Sequence, residues 1–403
     1  MGNIPKNTVV CKCLNLLDIN DDYRCPFFDH RTQKLTVVKF IKLFIEAVLN
    51  QRGSLDEIAE HLRSSHPLQQ ILGLDAISPS QISRKLRSLP PLLFQELFLH
   101  LAGKLQQLTK DRTGIGKIGR LNLIDSTALT LPEIAGQWAY CQSSRNGVKM
   151  HVRLVVADQD IFYPDRIIAS TADVADSEVV MEMVAADDAI YVMDRGYIVY
   201  SHYKVWAENS IRFVARIQKR NKTQVIRERA VPEGSNIERD ADVFVTFQEN
   251  GEEAQVELRL VEFRDDKGRN YRMLTNVRDV SAEQIAEIYR HRWTIELFFK
   301  WIKQHLKLVK LYSVQPDAVW TQMYLALIAY CLVLLLKLET GAKQTAWQVL
   351  KLLRIYSEYA WQSFLDALFR EPTRSSKGRR KKPKRGRPRK HPKKLKGAKL
   401  IVK

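Results

Sequence analysis

The spacing of apolar residues changes several times along this chain. Up to about residue 110 they recur every three or four positions, the period of amphipathic helices. Short apolar runs then alternate with helical segments, before a stretch with mainly two-residue alternation and a return to helical spacing. The pattern predicts an α/β core (118–219 and 279–371) with a β-rich insertion (220–278). An all-α N-terminal domain (1–110) precedes it, and a disordered basic tail (372–403) follows.

The N-terminal domain is predicted to be a series of helices separated by short turns. A Ser-x-x-Glu capping box at Ser54 begins one helix, and Pro79 lies in the first turn of another, residues 78–89. The second helix is rich in Gln, Ser, Arg and Lys away from its apolar side. Such helices form either a helix-turn-helix, in which Arg84 and Lys85 would contact DNA, or an ordinary bundle with a solvated face.

Two apolar strands of the predicted core each lead to an aspartate. The run RLNLID ends at Asp125, and AIYVM ends just before Asp194. Strand ends expose side chains at a sheet edge, where functional sites lie, although aspartate is also a common turn residue. Lys149, His151 and Arg153 alternate on another predicted strand. Their face would either line DNA or be a solvated side of the sheet.

Residues 281–310 predict one long helix, because no Pro or Gly interrupts them. At about 100° per residue, several polar side chains project within a narrow stripe, opposite an apolar face. The stripe consists of Tyr289, Arg292, Glu296, Lys300 and Lys303. A carboxylate among cations suits a surface that binds metal ions and phosphates. The simpler alternative is a solvated face with an ion pair between Arg292 and Glu296.

Asp125, Asp194 and Glu296 form a possible acidic triad. Three converging carboxylates repel one another unless cations lie among them. Oxygen ligands suit Mg²⁺ or Mn²⁺ rather than zinc. Two such ions, roughly 4 Å apart, stabilise the attacking and leaving oxygens of an in-line phosphoryl transfer. The triad therefore predicts metal-assisted phosphoryl chemistry.

Charge is concentrated at one end of the chain. The net charge is +19, and residues 372–403 contain 16 Lys or Arg and no Asp or Glu, so the remaining residues hold 48 basic and 45 acidic side chains. A polycationic tail indicates a polyanionic partner, most simply nucleic acid. Arg385 and Arg387 lie in an Arg-Gly-Arg-Pro-Arg segment that resembles an AT-hook, whose arginines enter narrow minor grooves. Plain phosphate binding is the alternative.

Cysteine usage and hydropathy exclude several other classes of protein. Five cysteines without the spacing of a disulfide framework indicate reduced thiols. The spacing of Cys11, Cys13, Cys25 and His30 matches no standard zinc site, so we do not expect zinc there. The N-terminus lacks the apolar segment of a signal peptide, and the apolar run 323–336 is short for a bilayer span. We therefore expect a cytoplasmic protein without a membrane partner.

Three motifs connect these segments in order: LIDST around Asp125, MDRGY around Asp194, and Tyr289-x2-Arg292-x3-Glu296-x6-Lys303. Together they resemble the DDE transposases of bacterial insertion sequences, in the branch with the Tyr-Arg-Glu-Lys signature, insertion-sequence family four. The resemblance covers roughly residues 118–311. It implies a ribonuclease-H-like catalytic core, with a β-rich domain inserted between the second aspartate and the glutamate helix.

The resemblance also implies a role for each matched residue. Asp125, Asp194 and Glu296 would hold two Mg²⁺ or Mn²⁺ ions, while Tyr289, Arg292 and Lys303 would contact phosphates at the transposon end. Trp293 resembles an aromatic residue that family members place near a displaced base; a core tryptophan is the alternative.

The implied reaction is phosphodiester hydrolysis at each transposon end, followed by attack of the freed 3′-hydroxyl on target DNA. The implied partner is double-stranded DNA, bound by a homodimer. The basic tail is not part of the signature, and we predict that it raises DNA affinity or captures target DNA. Two alternatives are a non-catalytic DNA-binding scaffold and a nuclease of the same fold that cuts without joining.

Overall fold

Helices come first along the chain, strands then alternate with helices, and a run of strands is followed by further helices, in the order that the apolar spacing predicts. The computed structural model describes residues 7–133, 136–141, 145–306, 308 and 310–371. The α-helices described are α1 (Val9–Asn15), α2 (Pro26–Asp29), α3 (Val37–Leu49), α4 (Leu55–Ser64), α5 (His66–Leu72), α6 (Pro79–Ser88), α7 (Pro91–Leu108), α8 (Asp176–Met183), α9 (Tyr200–Glu208), α10 (Ala282–His291), α11 (Trp293–His305), α12 (Pro316–Thr340), α13 (Ala346–Ile355) and α14 (Trp361–Leu368). The strands described are β1 (Leu121–Leu131), β2 (Tyr140–Cys141), β3 (Arg145–Val156), β4 (Phe162–Thr171), β5 (Ile190–Met193), β6 (Phe213–Arg216), β7 (Gln224–Glu228), β8 (Ile237–Glu249), β9 (Glu252–Arg264) and β10 (Asn270–Thr275).

The N-terminal helices begin at the caps that the sequence predicts. The Ser54 hydroxyl accepts a hydrogen bond from the Glu57 amide, but the Glu57 carboxylate accepts from the Gly53 amide, so the predicted capping box at Ser54 is only half formed. Ser78 forms a complete capping box with Gln81 at the start of α6. Helices α3 and α7 pack against the apolar helix α12, and α7 also contacts β4. The described residues up to Leu368 form one compact unit with two apolar clusters, of which the first joins the N-terminal helices to α12 and to one face of the sheet. The domain boundaries given above stay predictions.

Helix α12 is the central helix of this core. It is the one described helix that is long and apolar enough to cross a membrane, but almost all of its apolar stretch is buried inside the protein. It ends at Gly341, whose left-handed backbone (φ 65°) closes the helix as a glycine cap does. The apolar run 323–336 is thus a buried helix, as predicted.

The described strands form one mixed sheet with the order β2-β3-β1-β5-β6-β10-β9-β8-β7, and β4 pairs with β3. Strand β1 is antiparallel to β3 and parallel to β5, and β5 is parallel to β6. Strands β7 to β10 are antiparallel to one another where they pair, as the two-residue alternation predicts. The insertion is continuous with the core sheet, because β10 pairs with β6.

The prediction of one helix over residues 281–310 is wrong in two respects. The segment forms α10 and α11, separated at Arg292, and α11 ends at His305. The backbone around Arg292 bonds with i→i+3 spacing: its amide donates to the Tyr289 carbonyl, and the Ile295 amide donates to the Arg292 carbonyl. This tighter turn interrupts the helix without Pro or Gly and lies directly beside the candidate site.

Candidate active site

Asp125 and Asp194 follow the last paired residues of two neighbouring parallel strands. In the β1–β5 register Ile124 pairs with Met193, so Asp125 on β1 and Asp194, directly after β5, both come next to this pair. The prediction that β1 ends at Asp125 is wrong, because it stays paired with β3 as far as Leu131. Its neighbour β5, however, ends at Met193. Asp125 therefore lies where one edge of β1 becomes free.

Arg216, at the end of a third strand, lies next to one of these aspartates. Met193 pairs with Ala215 in the parallel β5–β6 register, which places Arg216 next to Asp194. Its Nη1 lies 4.0 Å from Asp194 Oδ1, and its guanidinium lies 4.5 Å from the centre of the Tyr271 ring. Sequence reasoning missed Arg216. The available signal was a cation at the end of an apolar strand that follows the two aspartate strands.

Arg292 connects Glu296 to Asp125. Its Nη1 donates a hydrogen bond of 3.2 Å to Asp125 Oδ2, and its Nη2 donates one of 2.6 Å to Glu296 Oε1. The ion pair with Glu296 that the helical spacing predicts is therefore present, but Arg292 is mostly buried and has a second carboxylate partner. One guanidinium thus neutralises an acid from the sheet and an acid from α11.

The other residues of the predicted stripe also face the sheet. The Tyr289 hydroxyl donates a 3.3 Å hydrogen bond to Asp194 Oδ1, and Lys303 Nζ donates one of 3.1 Å to the Ala128 carbonyl on β1. Lys300 and Lys303 line a cleft with Asp125 and Glu296. On the opposite side, Ile295, Phe298 and Ile302 are fully buried, as predicted.

Burial and neighbouring charge shift the pKa values of several groups in the site. Burial raises the pKa of Asp125 to about 6, and repulsion by Asp194 and Glu296 acts in the same direction, against the attraction of Arg292. Burial, together with the charge of Asp194, raises the pKa of Tyr289 to about 12. Burial alone would lower the pKa of Arg292, but its anionic neighbours raise it, so this guanidinium stays charged.

The donor set fits a hard divalent cation. All three acidic side chains offer carboxylate oxygens, the ligands that Mg²⁺ and Mn²⁺ prefer, and Arg292 already provides a positive charge between two of them. Within the described ranges, no three His, Cys, Asp or Glu side chains are grouped closely enough to hold a metal ion. Cys11, Cys13, Cys25 and His30 are among these described residues. In the described arrangement Arg292, rather than a metal ion, lies between Asp125 and Glu296.

Trp293 is exposed, with 58% of its surface accessible, so the alternative of a core tryptophan is wrong. It begins α11 and lines a second cleft with Tyr271, Tyr289, Arg216 and Arg292. An exposed aromatic ring beside arginines provides a surface on which a base can stack.

The face of β3 that carries Lys149, His151 and Arg153 is covered rather than solvated. His151 is fully buried, with Nδ1 3.3 Å from Asp176 Oδ1, and Lys149 Nζ lies 3.4 Å from the same oxygen. Arg153 binds Asp165 through two hydrogen bonds, of 2.8 and 2.7 Å. Both expectations for this face are wrong, because helix α8 packs over it and supplies Asp176.

The prediction that Lys85 contacts DNA is contradicted by its burial. Its Nζ lies 2.8 Å from Asp29 Oδ1 and donates another 2.8 Å hydrogen bond to the Phe28 carbonyl. Arg84, the preceding residue of α6, is exposed and stays a candidate DNA contact. The predicted tail residues Arg385 and Arg387 lie outside the described residues.

Comparison with known proteins agrees with this arrangement. A family model described as "Transposase DDE domain" matches residues 117–332, just over half of the chain. A putative transposase of Sinorhizobium fredii, y4zB, is 35% identical over 246 residues, which cover 60% of this chain and 67% of that protein. A probable transposase for insertion sequence element IS5377 of Geobacillus stearothermophilus is 27% identical over 303 residues, 75% of this chain and 76% of that protein. A putative transposase for insertion sequence element IS4SA of Synechocystis is 30% identical over 178 residues, 42% of this chain and 48% of that protein.

Proposed function

Because this chain belongs to the Transposase DDE domain family, we propose that it binds the terminal inverted repeats of an insertion sequence and catalyses DNA cleavage and strand transfer by two-metal phosphoryl transfer. We assign the metal ligands as Asp125, Asp194 and Glu296. We also propose that β4, β3, β1, β5 and β6 form a ribonuclease-H-like core. Their spatial order supports this, with antiparallel pairing among the first three and parallel pairing among the last three.

One observation supports the proposal above all others. Asp125 on β1 and Asp194 directly after β5 follow paired residues of two parallel strands, and Glu296 is connected to Asp125 through a shared arginine. A protein that only binds DNA gains nothing from carboxylates next to a phosphate backbone, since like charges repel. The triad is therefore better explained by a reaction that needs cations at the scissile phosphate.

In the proposed mechanism the side chains of this protein hold the metal ions, orient the DNA strand and neutralise charge. When bound, Mg²⁺ or Mn²⁺ ions supply Lewis-acid stabilisation of the attacking and leaving oxygens. Asp125, Asp194 and Glu296 hold them. Arg292 turns from the carboxylates to a phosphate oxygen, and Tyr289 is placed to donate to the same strand. Arg292 thus balances the negative charge of the DNA instead of the charge of the two carboxylates.

Two chemical steps follow at each transposon end. Water attacks the phosphorus atom, and the bond to the 3′-oxygen breaks, which leaves a 3′-hydroxyl and a 5′-phosphate. That 3′-hydroxyl then attacks a phosphodiester of the target and displaces its 3′-oxygen. The protein would act as a homodimer that bridges two ends, in the bacterial cytoplasm at the nucleoid.

A single assay separates the proposed function from its alternatives. Labelled terminal-repeat DNA and a target plasmid are incubated with the protein and Mg²⁺. Joined product supports the transposase, cut product without joining identifies a nuclease, and binding alone identifies a scaffold. Glu296→Gln should remove cleavage by at least about a thousandfold while DNA affinity is kept, because a metal ligand is lost. Equal activity in that variant would refute the assigned site, and Glu287→Gln, on exposed α10 surface, serves as its control.

A further inference from the structure

A strongly basic cleft leads away from the Asp194 side of the site. It has a volume of about 910 Å³ and extends between the end of β6 and the strands of the insertion. Arg195 and Arg216 line the end next to Asp194. The loop of residues 217–223, which connects β6 to β7, lines the other end and presents Lys219, Arg220 and Lys222. We call this loop the basic loop.

The positive charge of the cleft is not balanced within it. The carboxylates that line it, Glu238 and Glu262, are paired with Arg264 and Arg272. By contrast, four cations of the cleft have no carboxylate partner within 4.0 Å among the described residues; these are Arg195, Lys219, Arg220 and Lys222. Unpaired cations around a concave surface attract a polyanion, because no protein group competes for them.

Arg272 holds the basic loop in one shape. From β10, its Nη1 donates hydrogen bonds to the carbonyls of Gln218, Lys219 and Asn221, at 3.2, 3.1 and 3.1 Å. The Asn221 side chain adds a bond of 2.8 Å from the Gln218 amide. These bonds turn the loop carbonyls toward Arg272, while the Lys219, Arg220 and Lys222 side chains are in solvent. A loop ordered before binding loses less entropy when a ligand arrives.

Arg216 connects the basic cleft to the candidate active site. That residue lies beside Asp194, stacks on Tyr271, and lines both the basic cleft and the second cleft with Trp293. We propose that the basic loop binds the phosphate backbone of the DNA strand that leaves the scissile site on its Asp194 side. The contacts are independent of base sequence, since flexible lysine and arginine side chains on a loop meet phosphates rather than base edges. This inference rests on the proposed DNA substrate.

The test measures binding of the full-length protein, in EDTA, to two duplexes. One carries the terminal repeat of the element, and the other has the same bases in scrambled order. The triple variant Lys219→Gln/Arg220→Gln/Lys222→Gln should bind both duplexes about tenfold more weakly near 0.1 M salt. The slope of log affinity against log salt should also decrease by about 1 for each lost phosphate contact.

A matched control neutralises three exposed lysines outside the cleft, Lys110, Lys343 and Lys351, which lack a carboxylate partner in the described part of the chain. It should bind like the wild type. An unchanged slope in the loop variant, an equal loss in the control, or a loss confined to the terminal-repeat duplex overturns the inference. If the wild type cuts and joins DNA while the loop variant binds normally, only this inference fails. A wild type that binds neither duplex overturns the proposed function as well.

Discussion

Arg292 Nη1 lies 3.2 Å from Asp125 Oδ2, although the two residues are 167 positions apart in the chain. The contact joins the helical break between α10 and α11 to the point where β1 loses its neighbour β5. An arginine beside two acids that are proposed metal ligands acts as an internal cation. It offsets the repulsion between the two carboxylates, and we propose that a divalent ion and a phosphate replace it.

Replacing Arg292 should make the protein more dependent on a divalent cation. Arg292→Gln leaves Asp125 and Glu296 without their shared partner, so we expect a loss of about 1–3 kcal/mol of stability in EDTA. Added Mn²⁺ should raise the melting temperature of the variant by more than that of the wild type, because a ligand that binds the folded state more tightly stabilises it more. The measurement is thermal unfolding at increasing Mn²⁺ concentration.

Arg290→Gln is the matched control for that experiment. Arg290 is exposed and pairs with Glu287 at 2.7 Å on the surface of α10, where an ion pair contributes little. Its melting temperature should respond to Mn²⁺ as the wild type does. If all three proteins show the same Mn²⁺ shift, Arg292 does not occupy the place of a cation, and the proposed exchange is wrong.

How far the sequence predicts this site depends on which contacts are local. The helical repeat places the polar residues of 281–310 on one stripe, and an apolar run leads to each aspartate, so the stripe on α10 and α11 and the two aspartates were predictable. The length of β1 was not, because the apolar run ends at Ile124 and the polar residues after it stay in the strand through their pairing with β3. Nor was the break at Arg292, where backbone bonding changes without any Pro or Gly.

The burial of Lys85 was also not predictable from local sequence. A helical projection places it on the polar side of α6, but its partner Asp29 is 56 residues away and buries it. Arg216 was missed for a related reason, since only the β5–β6 register places it beside Asp194. In each case the deciding contact is between segments that are distant in the chain. Apolar spacing predicts which face of an element is buried, but not which charged group on another element meets it.

Lys85 and its neighbour Arg84 provide a direct test of burial against DNA contact. Lys85→Met should destabilise the protein by about 3 kcal/mol, because it leaves the Asp29 carboxylate buried without its cation. Arg84→Gln should change stability by less than about 0.5 kcal/mol. Urea unfolding of the two variants measures both effects. If α6 contacts DNA, Arg84→Gln should instead weaken end binding, and a normal affinity in that variant would favour the ordinary helical bundle.

Asp176 is expected to position the turn that carries Asp194. It contacts Lys149 and His151 on β3, and a side-chain carbon placed on Gly196, in the turn after Asp194, would lie 3.3 Å from its Oδ2. Asp176→Asn should therefore cost about 1–3 kcal/mol and slow cleavage, with DNA affinity unchanged. Asp188→Asn, an exposed site, is the control. Unaltered cleavage in the Asp176 variant would show that the turn holds Asp194 by itself.

The contribution of Asp176 should also depend on pH in a defined direction. Burial would raise its pKa, but hydrogen bonds from His151 and Ser126 and the charge of Lys149 lower it overall. A carboxyl with a lowered pKa stabilises the fold above its unfolded pKa of about 4, and that stability is lost as the pH falls further. The stability difference between wild type and Asp176→Asn should thus persist down to about pH 4 and then shrink. A difference that grows below that pH would contradict this assignment.

Removing the tail tests the last predicted DNA contact. Truncation after Glu371 deletes 16 Lys or Arg and no acid, so end binding should weaken and its salt dependence should become shallower. An unchanged affinity and salt slope would show that the tail does not bind DNA. A second variant of the full chain, Arg385→Lys/Arg387→Lys, keeps the charge but removes the planar guanidinium groups. If these arginines enter a narrow minor groove, this variant should lose preference for A·T-rich DNA, whereas plain phosphate binding predicts unchanged affinity for every sequence.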